Sequence, residues 1–161
     1  PHGRLQLKMT GVDPGFTLGL MAAQRERLLL ALATEGLLGR NASLALPEPA
    51  LRIGLVTSIG SAAHADFCTE LERSGIAFDL IERDTPVQGD GAAIDIAEGL
   101  RIVGTYGPDV IALVRGGGSA VDLSVFDAEV VARAIAGLAA PVPTRPGHAI
   151  AIGRAARGER G

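Results

Sequence analysis

Three consecutive glycines directly follow an arginine in Arg115-Gly116-Gly117-Gly118-Ser119. Successive backbone N–H groups without side chains can close on an anion, and the adjacent guanidinium can grip two phosphate oxygens, so the segment has the composition of a phosphate cradle. The same spacing serves equally as a flexible strand-to-helix turn, and the residues alone leave both readings open. The loop lacks the Gly-x-Gly-x-x-Gly order of a dinucleotide fingerprint, and no Gly-Lys-Ser or Gly-Lys-Thr follows it as in a Walker loop. Three other segments carry polar groups of a suitable kind. They are Thr57-Ser58-Ile59-Gly60-Ser61 with His64 and Asp66 a turn later, Thr85-Pro86-Val87-Gln88-Gly89-Asp90-Gly91, and Arg145-Pro146-Gly147-His148.

Asp66 has the chemistry of a base that orients water, or of a carboxylate that holds Arg115; its bland reading is a solvated helix carboxylate. His148 titrates near neutral pH and can protonate a leaving alkoxide, against the bland reading of an exposed bystander. His64 is the weaker histidine for such work, and Asp122 suits the start of a helix. No two carboxylates and a histidine share a ligand-like spacing, so no dedicated metal site is expected. Cys68 is the only cysteine and has no Lys or Arg placed to lower its pKa; it is expected to be a buried, inert thiol.

These segments can converge only if strands deliver them to one edge. From residue 51 onward, short apolar runs alternate with amphipathic stretches, the pattern of strand-helix-strand units on a parallel sheet. Strands are expected over 52–57, 77–82, 109–114 and, more weakly, 141–144, with helices over about 61–73, 92–106 and 127–138. The expected fold class is α/β, an open, mostly parallel, Rossmann-like sheet of about four strands with helices on both faces. Ligands bind such sheets beyond the carboxyl ends of the strands, where all four polar segments fall. Upstream, residues 4–9 alternate polar and apolar, like a last strand belonging to a domain outside the chain. Residues 17–35 have helical spacing and stop at Gly36, and the stretch 37–49, with two prolines, reads as a loop.

The composition of the 161-residue chain, 47% hydrophobic, 20% charged and 3% aromatic, excludes disorder and describes a globular protein with an aliphatic core. A net charge of −3 supplies no global field for nucleic acid or an anionic membrane, so any phosphate contact must be local. The longest uncharged run, residues 53–65, has 13 residues and is too short to cross a bilayer. A lone cysteine excludes an internal disulfide and suits a reducing compartment. A cytoplasmic protein without membrane contact is expected.

Taken together and in order, these segments resemble the catalytic domain of the exodeoxyribonuclease VII large-subunit family. The resemblance is carried by Arg52-Ile53-Gly54-Leu55-Val56-Thr57-Ser58, Ala62-Ala63 with Asp66, Pro86-Val87-Gln88-Gly89-Asp90-Gly91-Ala92-Ala93, Val114-Arg115-Gly116-Gly117-Gly118-Ser119 with Asp122-Leu123, Phe126, Val131-Ala132-Arg133-Ala134-Ile135, and Gly147-His148. It covers residues 51–148. Residues 3–13 and the helix ending Glu35-Gly36-Leu37 are similar to the last strand of the family's N-terminal oligonucleotide-binding barrel and to its linker helix. The implied organisation is 1–13 as a barrel remnant, 14–50 as linker, and 51–161 as an α/β nuclease-like domain whose C-terminal part is incomplete.

The resemblance implies hydrolysis of single-stranded DNA from both ends to oligonucleotides, together with copies of a small helical subunit. The family's catalytic set falls on Asp66, Arg115 and His148, and the implied phosphate-binding residues are Thr57, Ser58, Gln88, Gly89, Arg115, Gly116, Gly117, Gly118 and Ser119. No cofactor is implied as obligatory; Mg2+ held on phosphate would leave no mark on the sequence. Where the family has a further aspartate three residues after the histidine, this chain has Ala151, and Ser124 and Val121 replace the usual tryptophan and acidic residue. The family's helical arm gives way to a basic tail over 153–161, so the small-subunit docking region is expected to be absent from this chain. The alternative is a catalytically impaired homologue that binds nucleic acid or nucleotide phosphate without cutting. The strand at 3–12, without its barrel, could pair with a second copy, making a homo-oligomer an expectation.

Overall fold

The computed structural model describes residues 14–115 and 124–143. Three parallel strands, β1 (Arg52–Thr57), β2 (Asp79–Asp84) and β3 (Val110–Leu113), lie in the order β2-β1-β3. Side chains on β1 alternate between two apolar environments, as a period of two requires. Ile53 and Leu55 pack with Ala63, Phe67 and Leu71 of α2 (Ala62–Arg73). Val56 faces the other way, toward α3 (Ala92–Thr105) and α4 (Glu129–Gly137). Covered on both faces, β1 is buried from Ile53 to Thr57 and so carries an almost unbroken apolar run. The α/β class expected from the sequence is the class observed.

Because the chain leaves β1 toward β2 and later returns to pair β3 on β1's other side, the strand order reverses at β1. The crevice between the carboxyl ends of β1 and β3 is therefore the place where such a sheet receives a ligand. Gly54 sets how closely α3 approaches: a Cβ there would overlap Val103 Cγ1 and sit 3.3 Å from Ile111 Cγ1.

Observed boundaries follow hydrogen bonding rather than hydrophobicity. β1 matches its expected span. β2 begins two residues later than expected and runs to Asp84, since pairing starts at Arg52 with Asp79, whose side chains form an ion pair at 3.0 Å, while Ile76 and Ala77 stay exposed after the Gly75 turn. β3 is shorter than 109–114: the Asp109 carboxylate instead accepts from the N–H groups of Leu51 and Arg52, at 2.9 and 2.8 Å.

The fourth strand expected over 141–144 is not formed among its described residues, 141–143. Its start does run beside β3, where Ile111 N–H donates to the Pro141 carbonyl at 3.0 Å. Pro141 and Pro143 have no N–H to give a ladder, and the N–H between them, on Val142, donates to Asn41 Oδ1 at 2.8 Å. Asn41, buried at 3% exposure, also donates from Nδ2 to the Ala140 carbonyl at 2.9 Å, tying the stretch between α1 and β1 to the segment beside the sheet.

The first helix, α1 (Pro14–Thr34), starts three residues before the expected position; proline is tolerated there because the first helical N–H groups lack partners anyway. Its later turns are anchored by Leu28 and Leu32, which pack against Ala132 of α4 and against Leu37 and Leu38. Gly36, at φ +68°, supplies the left-handed end foreseen for it. The strand expected over 4–9 lies outside the described residues.

Candidate functional site

The carboxyl end of β1 turns sharply. The Ser61 N–H donates to the Ser58 carbonyl at 3.2 Å, and Gly60 takes φ +81° inside that turn, a conformation open to glycine. Ser61 Oγ then accepts the His64 N–H at 3.2 Å and caps α2. Thr57 is fully buried, and its Oγ1 has no hydrogen-bond partner among the described residues. Ser58, next along, is half-buried. Asp66 is exposed in the second turn of α2 and makes no hydrogen bond or ion pair among the described residues.

The end of β2 is tied to the same edge. Thr85 N–H donates to the Thr57 carbonyl, and Ile59 N–H to Asp84 Oδ1, both at 2.9 Å. From there Val87 is buried, while Gln88 and Gly89 are exposed, and Gly89 and Gly91 both adopt positive φ, at +94° and +84°. These two bends lead into α3, whose glycine Gly99 lets the helix sit close to the edge: a Cβ on it would lie 2.8 Å from Thr85 Oγ1. Exposed polar groups of the Gln88-Gly89 turn thus sit above a closely packed base.

β3 delivers Arg115. Val114 N–H donates to the Val56 carbonyl at 3.0 Å, carrying the β1–β3 pairing to the residue before Arg115. The arginine is only 4% exposed, and its guanidinium carbon lies 5.9 Å from the ring centroid of Phe126, within cation–π reach. An arginine desolvated in this way exerts a stronger pull on an anion than one on the surface.

The structure therefore gathers Thr57, Ser58 and Arg115 at the β1–β3 crevice, with Gln88 and Gly89 on the neighbouring loop. Gly116, Gly117, Gly118, Ser119, Asp122, His148 and Ala151 lie outside the described residues. Two residues at this edge went unrecognised in the residue-by-residue reading: Asp84, which holds the β1–α2 loop, and Phe126, which the family resemblance alone marked. Cys68 is half-buried rather than buried, because α2 turns it toward the exposed strand β2 and not toward the core. Burial and the nearby Glu82 and Glu72 carboxylates push its thiol pKa up. Among the described residues, no helix is long and apolar enough to cross a membrane.

A three-stranded parallel sheet with helices on both faces and a buried arginine just beyond β3 places the chain among the α/β proteins. The family model described as "Exonuclease VII, large subunit" matches residues 37–152, so the chain belongs to the exonuclease VII large-subunit family. The chain is 38% identical over 153 residues to an exodeoxyribonuclease 7 large subunit of Photobacterium profundum, covering 94% of this chain and 34% of that protein. Proteins of the same name from Aliivibrio fischeri and Vibrio parahaemolyticus are 35% and 36% identical, over 94% and 93% of this chain and again 34% of their own length. The chain thus spans about a third of the curated relatives it matches.

Proposed function

We propose that this chain is the catalytic α/β portion of an exonuclease VII-like large subunit, which hydrolyses phosphodiester bonds of single-stranded DNA from both ends to oligonucleotides. The observation that carries the reading is that the family match over residues 37–152 contains Asp66, Arg115 and His148 together. Asp66 orients a water and takes one of its protons as the water oxygen forms a bond to phosphorus. Arg115 and the N–H groups of Gly116, Gly117 and Gly118 hold the developing negative charge, and His148 gives a proton to the departing oxygen as the P–O bond breaks. Thr57, Ser58, Gln88, Gly89 and Ser119 hold the flanking phosphates. The buried position of Arg115 beside the β1–β3 crevice supports its role in this scheme.

In the same proposal residues 1–13 are the end of an oligonucleotide-binding barrel, 14–50 the linker, and 51–161 the nuclease-like domain. The complete polypeptide works with the family's small subunit in the cytoplasm. One observation favours a second reading, binding without cleavage: Ala151 stands where the resemblance wants an aspartate, which would orient the histidine and balance its charge.

The test is cleavage of end-labelled single-stranded and duplex DNA by the full-length polypeptide with its small subunit, in EDTA and in Mg2+, beside Arg115→Ala. Single-strand-selective products that fall roughly 100-fold or more in the variant are expected, the loss typical of a transition-state charge contact. Strand binding with no product in either buffer would select the second reading. Products undiminished in the variant would remove Arg115 from the site.

A further inference from the structure

His64 and Cys68 stand one turn apart on α2, and Glu82 of β2 reaches the same point. His64 Nε2 lies 2.6 Å from Glu82 Oε1 and 3.6 Å from Cys68 Sγ, and the three donor atoms lie within 4.8 Å of one another. The backbone explains the convergence. Residues four apart share a helix face, and Glu82, two residues beyond Leu80, points to the α2 side of the sheet, where Leu80 packs. His64 Nε2 is thus shared between the Glu82 carboxylate and the Cys68 sulfur, which brings three kinds of donor atom to one point.

We propose that His64, Cys68 and Glu82 form a binding site for a borderline-soft divalent cation of the zinc class, clamping α2 to β2. Imidazole nitrogen, thiolate sulfur and carboxylate oxygen are the donors such an ion takes, and a fourth position remains for water. Bond lengths of ~2.3 Å to sulfur and ~2.0 Å to nitrogen put a tetrahedral S–N edge at ~3.5 Å, close to the 3.6 Å between Cys68 Sγ and His64 Nε2. The N–O edge must open from 2.6 Å to ~3.3 Å, a change within reach of the Glu82 side chain, which is 37% exposed.

Binding has a definite proton balance. His64 Nδ1 accepts the Gly60 N–H at 3.3 Å, so the neutral ring carries its proton on Nε2. Coordination through Nε2 moves that proton to Nδ1 and ends the Gly60 hydrogen bond, while the Cys68 thiol gives its proton to solvent. Because Gly60 lies in the turn leading from Ser58 to α2, the ion also acts on the loop at the sheet's carboxyl edge.

The experiment uses the full-length polypeptide carrying this chain, stripped of metal with a chelator and titrated with Co2+. A thiolate-to-cobalt charge-transfer band with tetrahedral-strength visible bands should saturate near one equivalent and be displaced by Zn2+. Cys68→Ser should abolish the charge-transfer band, and His64→Gln and Glu82→Gln should each weaken binding by at least about tenfold. Circular dichroism of the metal-free variants controls for folding; should Cys68→Ser not fold, the other two variants, whose side chains reach solvent, decide. No band at one equivalent overturns the proposal. So does a band whose affinity both His64→Gln and Glu82→Gln leave unchanged, since that is a bare thiol.

Discussion

The guanidinium of Arg115 lies over the ring of Phe126, its central carbon 5.9 Å from the ring centroid, so the arginine two residues beyond β3 packs on the short helical turn Ser124–Asp127. Phe126 is itself 4% exposed and shares the larger apolar core with Leu100, Val131 and Ile135. The ring therefore fixes the arginine relative to the core and not merely to the loop after it. Phe126→Leu keeps an apolar filler but loses the ring face, and should lower the unfolding free energy by about 1–3 kcal/mol in urea denaturation. A double-mutant cycle with Arg115→Met should give a coupling of about 0.5–2 kcal/mol. A coupling of zero would mean the two groups are neighbours without interacting.

Asn41 offers a sharper test, because each side of its amide faces a different backbone group. Asn41→Ala leaves both the Val142 N–H and the Ala140 carbonyl without this partner in a buried position, and should destabilise the fold by about 2–3 kcal/mol. Asn41→Asp keeps an acceptor for Val142 but turns a second acceptor toward the Ala140 carbonyl. Burial would raise that carboxyl's pKa in the folded state above its unfolded value. The folded state then binds more protons, so the variant should regain stability relative to wild type as pH falls and lose it as pH rises. Parallel denaturation curves at acid and neutral pH check the sign; a pH-independent difference would show that the carboxylate reaches solvent.

Between α4 and the end of α1, Arg133 donates from Nη2 to Glu35 Oε1 at 2.7 Å and from Nε to Glu129 Oε1 at 2.7 Å. The Arg133 guanidinium holds the Glu35 carboxyl below the usual carboxylate range. A carboxylate whose pKa is depressed by folding stabilises the fold above its unfolded pKa, and that contribution disappears as pH falls through the folded value. The stability gap between wild type and Glu35→Gln should accordingly be largest near neutral pH, close on acidification below the ordinary carboxylate pKa, and shrink in high salt because the pair is exposed. A gap insensitive to both would assign the effect to packing of the Glu35 stem.

What the sequence exposes most clearly are the elements whose burial is two-sided. The apolar run of β1 was legible to the residue because both faces are covered, and Gly36 marked the end of α1 because its φ is positive. β2 was read two residues early because Ile76 and Ala77 look like strand residues, yet no pairing with β1 reaches them. The expected fourth strand fails for a reason written in the sequence but easily passed over: prolines at 141 and 143 remove the donors a ladder needs. Asn41 could not be found by pattern, since its partners lie about a hundred positions away in a segment without periodicity. The positions of Thr57, Ser58 and Arg115 at the carboxyl ends of β1 and β3 follow from the strand pattern. Convergence of His64 with Glu82 was not, because it depends on how α2 is seated on β2.

On the opposite face of the sheet, the approach of α3 to β1 depends on the missing side chain of Gly54. With Val103 Cγ1 occupying the space a Cβ would need, and Pro108 Cγ only 3.4 Å from it, Gly54→Ala must push α3 away from β1 or bend the strand. Overpacking of this kind should destabilise by about 1–3 kcal/mol. Val103→Ala alone opens a cavity and should be destabilising by about 1–3 kcal/mol as well, but in the double variant the new methyl fills part of the space that the valine vacates. The two effects should therefore sum to less than their separate values, by about 0.5–2 kcal/mol in a double-mutant cycle followed by urea denaturation. Under the proposed function, in which the Gln88-Gly89 turn leading into α3 holds a flanking phosphate, Gly54→Ala should also weaken single-strand binding by the full-length polypeptide, and Val103→Ala in the same chain should restore part of it. Strict additivity in stability would show that the strand bends, and not the helix, to make room.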